Sequence, residues 1–143
     1  MWRELVERWY PVHEFRPGAT SEALTAAEQR IGHQLPGDLR ELLAETDGVR
    51  GSYGLGLIWP IERIVDENLM LRSEPDFRDL SMPFEPLLFF GDAGNGDLFA
   101  FRLVSVLWDR DVYAWNHEND SRVWVASSLA QYLEWWSDGR ITV

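Results

Sequence analysis

The fold is decided by the stretch Leu87-Leu-Phe-Phe-Gly91-Asp-Ala-Gly-Asn-Gly-Asp97-Leu-Phe-Ala-Phe-Arg-Leu103. Two apolar, aromatic-rich runs flank a turn of glycine, asparagine and aspartate residues. Glycine and asparagine tolerate a positive φ, and the side chains of Asp and Asn can bond their own backbone. After the turn, successive side chains alternate with the two-residue period of a strand that has one buried face. The stretch therefore predicts a strand–turn–strand hairpin.

The segments before and after this hairpin have apolar residues at helical spacing. Apolar residues at i, i+3, i+4 and i+7 predict helices over about 2–9, 21–31, 36–47, 61–71 and 128–136. Thr20 or Ser21 can cap the second helix, Gly32 can end it, and Ser127 or Ser128 can cap the last. The apolar positions on each helix predict a stripe that faces a shared core.

Further strands are predicted in the second half of the chain. Val104–Trp108 reads as a continuation of the hairpin's second strand, and Asp109–Asp111 as the next turn. Strands at 112–116 and 123–125 follow. Helices segregated from antiparallel hairpins indicate an α+β fold. We expect a single domain over residues 1–143, with an antiparallel sheet of about four to six strands, N-terminal helices, and a C-terminal helix packed on one sheet face.

Composition narrows the class of protein. The chain has 143 residues, 45% of them hydrophobic, and no cysteine. The lack of cysteine rules out disulfides, thiolate nucleophiles and cysteine-based zinc sites, and it suits a reducing compartment. The first residues carry both charge signs instead of a signal peptide's apolar run, and no segment approaches the roughly 20 apolar residues of a membrane span. We therefore expect a cytoplasmic protein without a membrane association.

Charge bears on the kind of partner. Asp and Glu number 24 against 13 basic residues, which gives a formal net charge of −11, and every basic residue is arginine. Such a field repels nucleic acids and attracts basic proteins. Without lysine, the chain also lacks the P-loop residue that neutralises nucleotide phosphates.

The first half carries a family resemblance. The segment Ala27-Glu-Gln-Arg-Ile-Gly32-His-Gln-Leu35-Pro36-Gly-Asp-Leu39 through Asp47-Gly48 resembles the helix–"LG, LP"–helix–"NG" opening of the SUKH superfamily. That superfamily unites fungal cell-wall-synthesis regulators with bacterial immunity proteins. The later segments of the family pattern follow in the expected order, so the resemblance spans about residues 20–137. These segments are Trp59-Pro60-Ile61 at the start of a helix, the turn Gly91–Asp97, Val112–Trp115 followed by His117-Glu118, and the closing helix Leu129–Trp136. Ile31 and Asp47 depart mildly from the usual leucine and asparagine.

The resemblance implies a binding module, not an enzyme. Bacterial members of the superfamily are thought to neutralise toxin domains by direct binding, and such toxins are often nucleases or deaminases. The expected function is therefore that of an immunity protein for a basic toxin domain. A regulatory adaptor of the same fold, with no toxin partner, is the alternative. We expect a monomer or weak dimer without a cofactor.

Catalytic and metal-binding patterns are weak. His13, His33 and His117 are the only histidines, and neither H-E-x-x-H nor G-x-S-x-G occurs. Asp92, Asn95 and Asp97 could offer oxygen ligands to a cation, but Gly94 interrupts the spacing of an EF-hand. Turn formation explains these residues more simply, so we assign no catalytic residue and no metal site.

The predicted partner-binding surface lies in the acidic loops of the second half. Loops on a rigid scaffold commonly carry recognition, and tryptophan is often enriched where proteins bind each other. The candidate residues are Trp59, Asp92, Asn95, Asp97, His117, Glu118 and Asp120. The alternative for Trp59 is a buried position in the hydrophobic core. We expect charge reversal at Asp97 or Asp120 to weaken a basic partner without unfolding the domain.

Overall fold

The structure is a computed structural model that describes residues 1–11, 15–75, 82–104 and 107–143. Within these ranges the chain forms five α-helices and six β-strands. The helices are α1 (Trp2–Trp9), α2 (Ser21–Ile31), α3 (Gly37–Glu45), α4 (Ile61–Ser73) and α5 (Leu129–Ser137). The strands are β1 (Val49–Arg50), β2 (Gly56–Ile58), β3 (Leu87–Asp92), β4 (Leu98–Val104), β5 (Leu107–Trp115) and β6 (Arg122–Ala126). The α+β fold class predicted from the sequence is confirmed.

Local side-chain chemistry sets the ends of the helices. The hydroxyl of Thr20 accepts a hydrogen bond from the backbone N–H of Ala23 and so begins α2. Gly32 ends that helix with a φ of 90°, a left-handed conformation that glycine adopts without strain. Ser128 begins α5 in the same way as Thr20 begins α2, by accepting from the N–H of Gln131. The predicted caps at these three positions are confirmed.

The main sheet is an antiparallel meander. Its four strands lie in the order β3-β4-β5-β6, and β1 pairs with β2 in a separate two-stranded sheet. The backbone N–H of Trp59 donates to the carbonyl of Phe90 at 2.7 Å, which joins the end of β2 to β3. The small sheet is thereby held beside the turn between β3 and β4.

One predicted turn is misplaced along the sequence. Asp109–Asp111 does not reverse the chain, because it lies inside β5. The reversal comes earlier, since Val104 pairs with Leu107. The pairing register shifts opposite Asp109–Asp111, and the Asp109 carboxylate accepts from the N–H of Asp111 at 3.2 Å. The same turn-forming residues therefore build a β-bulge. The prediction that Val104–Trp108 continues a single strand is wrong for this reason.

Aromatic rings fill the space between the sheet and α5. Phe99 stacks edge to face on Tyr132 and on Trp136, with ring centroids 4.8 and 5.3 Å apart respectively. The Tyr132 hydroxyl donates to the carbonyl of Leu57 at 3.0 Å, so α5 also holds the small sheet in place. Burial raises the pKa of Tyr132 well above its usual value. The C-terminal helix thus covers one sheet face, as the sequence predicts.

Candidate functional site

The two acidic loops predicted to form a surface lie side by side. One is the turn between β3 and β4, and the other is the loop between β5 and β6. The carboxylate of Asp97 joins them, because its Oδ1 lies 2.6 Å from Nδ1 of His117 and accepts from the backbone N–H of His117 at 3.2 Å. A Cβ atom on Gly96 would lie 2.8 Å from Cε1 of the imidazole ring, so a glycine is needed there. The structure therefore brings the two predicted loops together.

Hydrogen bonds within the first loop use up several of its polar groups. Ala93 donates its N–H to the carbonyl of Asp97 at 3.0 Å, and the side-chain oxygen of Asn95 accepts from the N–H of Asp97 at 3.0 Å. Gly94 and Gly96 both adopt a positive φ. The turn is rigidly specified, and Asn95 remains exposed at its tip.

Asp97 and Asp120 are structural parts of this surface. Asp97 is only 6% exposed. Asp120 accepts hydrogen bonds from the Trp115 indole at 2.7 Å, from the Met82 N–H at 2.9 Å and from Arg122 at 3.2 Å. Burial alone would raise the pKa of Asp120, but these bonds outweigh burial and hold the pKa below its usual range. Reversing either charge would break such bonds, so the expectation that both reversals leave the fold intact needs revision.

Trp59 belongs to the core and cannot contact a partner in this conformation. It is 0% exposed, and the guanidinium of Arg63 covers its ring at 4.4 Å from the centroid. Arg63 also meets both carboxylate oxygens of Asp92 at 3.1 Å, an ion pair that the lack of a side chain at Gly56 permits. The partner-binding role predicted for Trp59 is therefore withdrawn, while Asp92 lies at the surface with its charge largely compensated.

Three of the predicted residues remain free to meet a partner. Asn95, His117 and Glu118 are exposed. The Glu118 backbone N–H bonds to the side chain of Asn116 at 2.8 Å, which fixes the loop and leaves the Glu118 carboxylate in solvent. Among the described residues, this carboxylate forms no ion pair. Glu118 is accordingly the principal uncompensated charge of the two loops.

Tyr53, which no sequence pattern marked as a candidate, also belongs to this surface. Its side chain is fully exposed, and its backbone lies in the left-handed region at φ 59° and ψ 25°. That conformation is unusual for an aromatic residue and costs about 1–3 kcal/mol. Glycines 51, 54 and 56 around a single tyrosine were the signal that could have identified a projecting loop.

A cleft of about 580 Å³ separates Tyr53 from the first acidic loop. Among the described residues, Asp92 and Asp97 are the carboxylates that line it, and four glycines and one leucine complete its walls. We call this space the acidic cleft. Its lining residues are Tyr53, Gly54, Leu55, Gly56, Asp92, Gly94, Gly96 and Asp97. The exposed ring of Tyr53 suits a cationic side chain, because the face of an aromatic ring attracts positive charge.

Two observations on the described parts of the chain concern metal ions and membranes. No group of three His, Asp or Glu residues there could hold a metal ion. No helix in those parts is long and apolar enough to cross a bilayer. His33 packs edge to face on Trp108 with centroids 5.7 Å apart, and His13 lies outside the described residues.

Comparison with known proteins supports the resemblance read from the sequence. The family model described as the SMI1 / KNR4 family (SUKH-1) matches residues 18–135. The match begins just before α2 and ends within α5, so it takes in both sheets and both acidic loops. No curated protein matches the chain.

Proposed function

The chain belongs to the SMI1 / KNR4 family (SUKH-1), and from this premise we propose that it neutralises a basic toxin domain by binding it directly. In this proposal it is a non-enzymatic protein-binding module of the cytoplasm. The observation that carries the proposal is family membership together with a net charge of −11. A field of that sign accelerates the encounter with a basic protein and disfavours nucleic acid.

The surface we propose for this contact surrounds the acidic cleft. Tyr53 supplies an exposed aromatic ring, a side chain that often dominates binding energy at protein interfaces. Glu118 supplies the uncompensated charge, and Asn95 and His117 supply polar groups at the rim. Asp92 and Asp97 line the cleft, but Arg63 and His117 already bind their carboxylates, so Glu118 is the acceptor that we assign to an arginine or lysine of the toxin.

The experiment is a titration against the candidate toxin domain encoded beside this gene. We expect a complex by calorimetry, with affinity that falls between about 50 mM and about 300 mM salt because opposite charges are screened. The absence of a complex at micromolar concentrations and low salt would refute the proposal. A stable partner that is not a toxin would favour the adaptor function instead.

A pair of charge-matched variants tests the surface. Glu118→Arg and Glu22→Arg change the net charge equally, but Glu22 is exposed on α2, outside the two acidic loops and the acidic cleft. We expect Glu118→Arg to weaken binding about tenfold or more, as the loss of a charge-assisted contact would. Equal effects of the two variants would remove the loop that carries Glu118 from the interface and leave only the overall field.

A further inference from the structure

A second cleft has the opposite charge from the protein as a whole. It encloses about 580 Å³ between the segment Phe15–Arg16, strand β1 and the beginning of α4. The described residues that line it include three arginines, Arg16, Arg50 and Arg63, and a single carboxylate, Asp47. We call this space the arginine cleft. In a chain with 24 acidic and 13 basic residues, such a grouping departs from the overall composition.

Two of the three arginines are not neutralised within the described parts of the chain. Arg63 is paired with Asp92 at 3.1 Å, whereas Arg16 and Arg50 are exposed and form no ion pair there. The carboxylate of Asp47 is already engaged, because it accepts from the N–H of Ile61, the first residue of α4, at 2.8 Å. The guanidinium groups of Arg16 and Arg50 are therefore available to an anionic ligand.

The walls of the arginine cleft suit a peptide. Phe15, Val49, Ile58 and Pro60 give it apolar surface alongside the charges. Backbones approach closely here, since a Cβ atom on Gly48 would lie 2.9 Å from the nitrogen of Pro60. A volume of this size exceeds what a single small anion fills, and mixed apolar and cationic walls match a short chain segment with carboxylate side chains.

We propose that the arginine cleft binds an acidic peptide segment of a partner protein. Arg16 and Arg50 bind its carboxylates, for which the planar guanidinium has matching paired donors. The apolar walls take the intervening side chains. A polyanion such as nucleic acid is disfavoured, because its many charges would meet the net −11 of the surrounding protein.

This inference rests on the proposed function only in taking the ligand to be a protein segment. Its test needs no toxin. The probe is a blocked hexapeptide of alternating Glu and Leu, and the control is the same peptide with Gln in place of Glu. Binding to the full chain is followed by two-dimensional amide NMR, which detects millimolar affinities and reports the residues that respond.

We expect the Glu peptide to shift the amide signals of Gly48, Val49 and Arg50, and the Gln peptide to leave them unchanged. Arg50→Gln and Arg16→Gln should each weaken binding about tenfold, the usual effect of losing one charge-assisted contact. Arg30→Gln, which removes an exposed charge on α2, is the matched control and should bind as the unaltered chain does.

Three results would overturn the inference: equal binding of the two peptides, equal binding by Arg50→Gln and Arg30→Gln, or binding of inorganic phosphate without binding of the Glu peptide. None of these results bears on the toxin complex, which uses the acidic cleft. Conversely, a failed toxin titration leaves the peptide result standing, so the two proposals fail separately.

Discussion

Asp120 offers the sharpest test of how the second acidic loop is built. Its two carboxylate oxygens accept from three donors, the Trp115 indole, the Met82 N–H and Arg122. In Asp120→Asn the side chain keeps one acceptor oxygen and gains an amide that faces one of those donors. The loss of one bond to a charged acceptor predicts a fall of about 1–2 kcal/mol in the free energy of unfolding at pH 7. Asparagine is the right substitute, because Asp120 has a φ of 60° and asparagine tolerates that conformation.

The pH dependence separates charge from packing. The pKa of Asp120 is lowered in the folded protein, so its contribution is present above the unfolded value of about 3.9 and is lost as the pH falls through the folded value. The stability difference between the unaltered chain and Asp120→Asn should therefore shrink as the pH falls below about 4. Other carboxylates titrate in both proteins and cancel in the difference.

Urea unfolding at a series of pH values measures this difference. Glu118→Gln, two residues away with an exposed side chain, is the control and should stay within about 0.5 kcal/mol of the unaltered chain. An Asp120→Asn variant as stable as Glu118→Gln, or a deficit that persists unchanged at low pH, would refute the assignment of Asp120 as a charged structural bridge.

Three further substitutions have defined outcomes. Asn68→Ala should cost about 2–4 kcal/mol in urea unfolding, because the buried amide bonds both the N–H and the carbonyl of Phe89 at 2.8 Å; a loss below 1 kcal/mol would contradict this role. Gly91→Ala should cost about 3 kcal/mol in thermal unfolding, since its new Cβ would collide with the backbone carbonyl of Leu57; unchanged stability would show that β2 moves freely. Tyr53→Asn should raise the unfolding free energy by up to about 1 kcal/mol by relieving backbone strain; a lowered value would mean that the exposed ring packs on the protein.

The fold was predictable where local chemistry and burial agree. The stripe Leu129, Tyr132, Leu133 and Trp136 specifies a helix by its spacing, and Ser128 specifies where that helix begins. The hairpin around Gly91–Asp97 has turn residues between two apolar runs, so pattern and turn chemistry point to the same structure. The family resemblance depends on such elements occurring in a fixed order, and the family model that matches residues 18–135 confirms it.

Prediction failed where local chemistry fits two structures. Asp109–Asp111 has the residues of a turn, yet here the bond from the Asp111 N–H to the Asp109 carboxylate lies within a β-bulge. Only the pairing of Val104 with Leu107, a contact between strands, decides where the chain reverses. For Trp59, too, the missing information was a contact between distant parts of the chain. The position of Trp59 before Pro60 does not indicate whether Arg63 and the small sheet cover its ring.

The acidic loops show why charge in a sequence overstates charge at a surface. Of their four carboxylates, Asp92 is neutralised by Arg63, Asp97 is buried against His117, and Asp120 is bonded to Arg122. Glu118 alone presents its charge freely within the described parts of these loops. Short-range specificity must therefore come from few groups, while the long-range attraction of a basic partner comes from the net −11 of the whole chain. It follows that neutralising scattered acids outside the two acidic loops and the two clefts should slow association and leave dissociation unchanged, whereas Glu118→Arg should accelerate dissociation.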